Sequence, residues 1–146
     1  MLIMNEAAKH HGQTLSASVL ASSLKLRLPT VSKVLKLLSE ANWLDSVRGA
    51  NGGYCLTKNP AEISVADIVM AIEGRPALTE CSMSEGSCDF DHNCELRGNW
   101  QFINRVVYKV LDDISLSDMG MSLESSPVKF YNLNAEQKQK LLQGIN

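Results

Sequence analysis

Cys81, Cys88 and Cys94 are separated by intervals of six and five residues on a stretch of glycine, serine and acidic side chains. The paired C-x2-C spacing usual in zinc sites is missing. Three thiolates spaced this widely can wrap a larger object such as an iron–sulfur cluster, although spacing alone leaves zinc or a metal-free thiol site open. Cys55 is remote from the trio and reads as a small strand residue rather than a ligand. No base, oxyanion donor set or phosphate-cradling glycine loop accompanies the cysteines, which argues against a thiol enzyme.

A second set of polar residues suits a different partner. Thr30, Ser32, Lys33 and Lys36 alternate with Val31, Val34, Leu35 and Leu38 at helical spacing, so the apolar residues form an inner stripe and the polar ones an outer face. Thr30, Ser32 and Lys33, near the start of that helix, can hydrogen-bond base edges in a major groove, and Lys36 is better placed for a phosphate. Arg48, beyond a short strand, can sense the width of a minor groove. Each basic residue taken singly is as well explained by a solvated face; the combination points to double-stranded DNA.

The elements that must position these groups are legible from caps and periodicity. Residues 2–11 read as a helix stopped by Gly12; it opens with no capping residue before Leu2, so a shortened N-terminus is expected. Ser16 can cap a second helix with Val19, Leu20 and Ser23 facing inward. Pro29 suits the first position of the third. Trp43 to Val47 and Tyr54 to Thr57 read as strands of a hairpin whose tip, Arg48 to Gly53, is basic and glycine-rich. Ser64 and Asp67 form a capping box for a helix ended by Gly74.

Residues 77–95 lack apolar periodicity and can hardly order themselves by burying a core. Trp100, Ile103, Val107, Val110, Leu111 and Ile114 then recur at helical spacing over Leu96 to Ile114, a longer apolar face than one small domain can cover, which suggests pairing with a second copy. Ser115 and Asp118 repeat the capping box. The expected organisation is a winged helix-turn-helix over 1–76, a cysteine-bearing loop over 77–95, a dimerisation helix and short helix over 96–121, and a flexible tail over 122–146 with a weak helical signal from Asn134 to Leu142. The fold class is mainly α with a small β-hairpin wing.

Charge divides along the same line. Up to Lys58 the chain carries seven Lys/Arg against three Asp/Glu, and from Asn59 onward seven against thirteen, so the net charge of −2 conceals a basic first half. An anionic partner should meet that half. The apolar opening Met1-Leu2-Ile3-Met4 is interrupted by Asn5 and Glu6, too short for a signal sequence, and no stretch is long enough to span a bilayer. The expected compartment is the cytoplasm, where thiols stay reduced and structural disulfides are disfavoured. His10 and His11 end the first helix and read as solvent-facing residues near its dipole.

The run Ala41-Asn42-Trp43-Leu44-Asp45-Ser46-Val47-Arg48-Gly49-Ala50-Asn51-Gly52-Gly53-Tyr54-Cys55-Leu56 resembles the wing of the IscR/NsrR type of winged-helix regulators, the Rrf-two family. Ile63-Ser64-Val65-Ala66-Asp67-Ile68, the cysteine trio, Trp100 and Ile114-Ser115-Leu116-Ser117-Asp118-Met119 extend the likeness over residues 2–121. The resemblance implies a homodimer on a pseudo-palindromic promoter site, long C-terminal helices crossing between subunits, and Cys81, Cys88 and Cys94 ligating a two-iron (2Fe-2S) or four-iron (4Fe-4S) cluster, with the two-iron form favoured. Within the family the sequence is most similar to regulators of SUF-type iron–sulfur assembly operons. Relatives fill the fourth coordination position with a histidine three residues after the last cysteine or with a side chain from the partner's first helix; here the former position is Arg97, which is no iron ligand. His92 and Glu95 are nearby alternatives, each read first as a solvated loop residue. A substitutable fourth ligand suits a sensor open to oxygen, nitric oxide or small thiols. The competing expectations are a nitric-oxide or redox sensor of another operon, and a protein-interaction winged helix with structural zinc.

Overall fold

The computed structural model describes residues 1–49, 52–80, 88 and 94–121. Cys81, His92, the outermost wing residues 50 and 51, and the tail over 122–146 with its weak helical signal lie outside the described residues.

Helix α1 spans Leu2–Lys9, with Met1 at its N-cap making no side-chain cap bond. The chain reverses through turns in which His10 and His11 donate to Ala7 and Ala8, and Gly12 takes φ 81°, a conformation that suits glycine. Helix α2, Ala17–Ser23, starts at Ser16, whose hydroxyl accepts from the Val19 N–H at 3.2 Å. Its inward face corrects the sequence expectation: Leu20 and Ala21 are buried, Val19 is 53% exposed, and Ser23 is exposed with its hydroxyl donating to Glu6 at 2.7 Å. The small side chains of Ala17 and Ala21 let α2 lie close to the core, and this rotates the bulkier Val19 outward.

Helix α3, Leu28–Glu40, begins one residue earlier than Pro29 alone suggests. Val31, Leu35 and Leu38 are fully buried, and Val34 packs against the same cluster. Asn42, at φ 61°, turns the chain into strand β1, Leu44–Val47, which pairs antiparallel with β2, Gly53–Leu56, in the register Leu44 to Leu56 and Val47 to Gly53. Leu15 adds a bridge on the other side of β2, exchanging main-chain bonds of 2.9 and 2.8 Å with Tyr54. A Cβ on Gly53 would sit 2.4 Å from the Leu15 carbonyl oxygen, so glycine is required there for the approach.

A 3-10 turn at Pro60–Glu62 leads to α4, Val65–Glu73, opened by the expected reciprocal capping box of Ser64 and Asp67 and ended at Gly74, φ 81°. Helix α5 runs Arg97–Asp112 and α6 Leu116–Met119, the latter opened by the Ser115–Asp118 capping box. The two capped starts lie side by side. Val65 N–H donates to Ile114 O and Leu116 N–H to Ile63 O, both at 2.8 Å, in an antiparallel bridge. Ile3, Met4 and Ala7 of α1 join Leu20, Val31, Leu35, Leu38, Leu44, Ile63, Ile68 and Leu116 in one hydrophobic core, so α6 shares the core of the winged unit. α4 packs between α3 and α5.

Candidate nucleic-acid interface and cysteine site

α2 and α3 pack on one another through the short turn at Leu24–Arg27, and the wing follows directly, which is the layout of a winged helix-turn-helix. Burial of Val31, Leu35 and Leu38 forces Thr30, Ser32, Lys33 and Lys36 onto the opposite face, where all four are exposed. Lys36 Nζ lies 3.7 Å from Glu40 Oε1, a solvent-exposed ion pair one turn apart that a phosphate can replace at small cost. Arg48, at the end of β1, is exposed beside Gly49, whose φ of 117° requires glycine.

Two basic residues join this face that single-residue reasoning passed over. Lys25, at φ 53°, and Arg27, the N-cap of α3, are both exposed in the turn that leads into the helix. The excess of positive charge in the first half was the available signal. The Ser23 hydroxyl donates to the Glu6 carboxylate at 2.7 Å, tying α2 to α1, and Lys9 within α1 donates to the same carboxylate at 3.0 Å. These bonds hold the Glu6 carboxyl below its usual range, the Ser23 hydroxyl contributing most. His10 Nε2 stands 3.9 Å from the same carboxylate, and His11 is exposed.

Cys88 and Cys94 precede α5 in the chain. Cys88 and Cys94 are free and half-buried; Cys81 lies outside the described residues. The Cys94 carbonyl accepts from the Arg97 N–H at 3.3 Å, placing Cys94 in the turn that starts α5, where the helix dipole favours a negatively charged ligand set. Arg97 is the first residue of α5, and Glu95 is exposed. Among the described residues no group of three or more His, Cys, Asp and Glu forms a metal-binding arrangement. Cys55 sits in β2, half-buried, with its thiol 3.9 Å from the Asp45 carbonyl, as expected of a strand residue.

No residue of α5 is buried. Trp100, Ile103 and Val107 form an exposed apolar stripe along it, while Asn104 and Tyr108 on an adjoining face reach the α4 side through bonds to Pro76, Leu78 and Met70.

Residues 1–121 match the family profile of Rrf2, described as an iron-dependent transcriptional regulator. The chain belongs to the Rrf2 family. Among its relatives, the HTH-type transcriptional regulator NsrR of Geobacillus kaustophilus is 30% identical over 68% of this chain and 69% of its own length. The solved structure of CymR, the global cysteine regulator of B. subtilis, is 32% identical and superposes with a TM-score of 0.65 over 82% of this chain and 88% of its own. IscR of T. potens is 31% identical, with a TM-score of 0.60 over 80% and 77% of the two chains. The winged-helix fold is therefore that of Rrf2 regulators, and the protein is a DNA-binding transcription regulator rather than an enzyme. No helix among the described residues is long and apolar enough to cross a membrane.

Proposed function

We propose that this Rrf2 regulator is an iron–sulfur-cluster-sensing repressor of SUF-type cluster assembly genes, acting in the cytoplasm as a homodimer on a pseudo-palindromic promoter site. The observation that carries this reading is the placement of two free, half-buried thiols, Cys88 and Cys94, ahead of and at the start of a helix whose apolar stripe is left uncovered. Cys81, Cys88 and Cys94 would hold the cluster, with the two-iron form favoured. When bound, a cluster supplies a rigid crosslink among these thiolates and sets their charge.

The chain's own residues perform the recognition. Thr30, Ser32 and Lys33 read base edges in the major groove, Lys36 binds a phosphate, and Arg48 enters the adjoining minor groove. The Trp100, Ile103 and Val107 stripe pairs with its copy and thereby fixes the separation of the two recognition helices, which must match successive grooves. Cluster binding by the cysteine-bearing segment biases that separation. A tenfold to hundredfold change in promoter affinity requires a difference of only about 1.4 to 2.8 kcal/mol between the two states.

The deciding experiment is the visible spectrum, with iron and sulfide content, of wild-type and Cys88→Ala protein purified without oxygen. Absorbance between roughly 300 and 450 nm with stoichiometric iron and sulfide, lost in the variant, is the expected result. A colourless, air-stable protein containing zinc, or no metal after reconstitution, would sink the sensing role and leave a winged-helix regulator controlled in another way. With the cluster established, release of promoter DNA by nitric oxide alone would favour a nitric-oxide sensor of another operon.

A further inference from the structure

Beyond Gly74 the chain leaves α4 through Arg75 and Pro76 and heads, in sequence, toward Cys81. Asn104, midway along α5, holds this segment from both sides of one amide. Its Nδ2 donates to the Pro76 carbonyl at 3.2 Å, and its Oδ1 accepts from the Leu78 N–H at 3.0 Å. An asparagine side chain offers donor and acceptor on a rigid plane, so it takes the part that a neighbouring strand's backbone would otherwise play. Asparagine is a poor residue for a helix interior, and these two bonds to residues 26 and 28 positions away offset that cost.

The position of the clasp gives it a consequence. Leu78 stands just ahead of Cys81 in sequence, and α4, from which the segment emerges, packs against the recognition helix α3 as well as against α5. One turn further along α5, the Tyr108 hydroxyl approaches Met70 Sδ of α4 at 3.9 Å. A displacement of the segment before Cys81 is thus delivered to α5 at Asn104 and to α3 through α4.

We propose that Asn104 is the positioning residue that couples the cysteine-bearing segment to the DNA-reading helix. The inference rests on the proposed function for what the cysteines hold. Losing the clasp weakens the coupling by removing the route through α5, without removing a ligand or a DNA contact, and leaves the covalent route through α4 in place.

The test uses the full chain as wild type, Asn104→Ala and Asn104→Asp. Two quantities are read: amide hydrogen exchange at Leu78 in metal-free protein, and the ratio of affinities for one wild-type-selected DNA duplex with and without the reconstituted cluster. In Asn104→Ala, Leu78 exchange should accelerate about tenfold. The affinity ratio should fall toward unity by about threefold or more, with iron and sulfide content unchanged. Asn104→Asp keeps the acceptor for Leu78 but turns a second oxygen toward the Pro76 carbonyl; it should give an intermediate ratio, and it carries the test if the alanine variant does not fold. A merely structural role would weaken both DNA-binding states equally and preserve the ratio. Unchanged exchange, or a preserved ratio in both variants, overturns the coupling while leaving the proposed function intact. A ratio of one in the wild type overturns both, and the wild type alone reveals it.

Discussion

Lys33 and Lys36 project from the same face of α3 but should fail differently when truncated. Lys33, near the helix start, is placed for a base edge, so Lys33→Ala should cost about 1–3 kcal/mol at the preferred duplex and relax sequence preference there. Lys36→Ala should weaken binding to all sequences alike and lower the salt slope by about one. Salt-dependent titrations of specific and random duplexes separate the two; identical behaviour of both variants would refute the division of roles. Glu6 makes a prediction in pH. Its carboxyl is held low by Ser23 and then by Lys9, so folding favours the ionised form. That contribution is complete above the unfolded carboxylate's pKa of about 4.3 and is lost as pH falls through the lower folded value. Acid titrations of wild type and Glu6→Gln followed by circular dichroism should therefore converge below about pH 4, and curves that stay parallel would contradict the bond network. Neither the Ser23–Glu6 bond nor the Asn104 clasp was legible in the sequence, because each joins residues 17 or more positions apart through side chains whose types are common on any surface.

At the scale of elements, glycines separate what packing requires from what it tolerates. Gly53→Ala places a methyl 2.4 Å from the Leu15 carbonyl, so the wing must open from its third partner; a stability loss of about 2 kcal/mol or more is expected, with weakened DNA binding. Gly98, in the first turn of α5, has open space around it, and Gly98→Ala should stabilise the chain by about 0.5–1 kcal/mol. Thermal denaturation of the two variants checks both signs, and a neutral Gly53→Ala would mean that the Leu15 bridge is dispensable. Elements governed by short-range rules were readable in advance. Both capping boxes, the Val31, Leu35 and Leu38 stripe, and the hairpin follow from residues close together in the chain. The face of α2 was not, because a seven-residue helix has too few positions to fix its phase and the apolar weight of Val19 outvoted two alanines. The Leu15 bridge, set by tertiary approach, leaves no periodic trace.

For the whole molecule, the proposed dimer is tested at the uncovered face of α5. Ile103→Glu places a charge in the middle of the Trp100, Ile103 and Val107 stripe and should yield a monomer by light scattering. Loss of the paired half-site should lower promoter affinity about tenfold or more while single-site, salt-sensitive binding remains. A dimer that survives this charge would place the interface elsewhere. The way α5 joins the rest has a further consequence. Its sixteen residues reach about 24 Å, and its C-terminal end is held by the bridge of Ile63 and Val65 with Ile114 and Leu116. Cys94 lies past the opposite end. The helix is also held midway, at Asn104 and Tyr108; a tilt of about 5° about its C-terminal end would carry the cysteine end through about 2 Å and Asn104 through about half of that. Bond-length changes at the tip become small displacements at Leu116, so the hydrophobic core around that residue need not repack, and the proposed path toward α3 runs instead through Asn104 and α4.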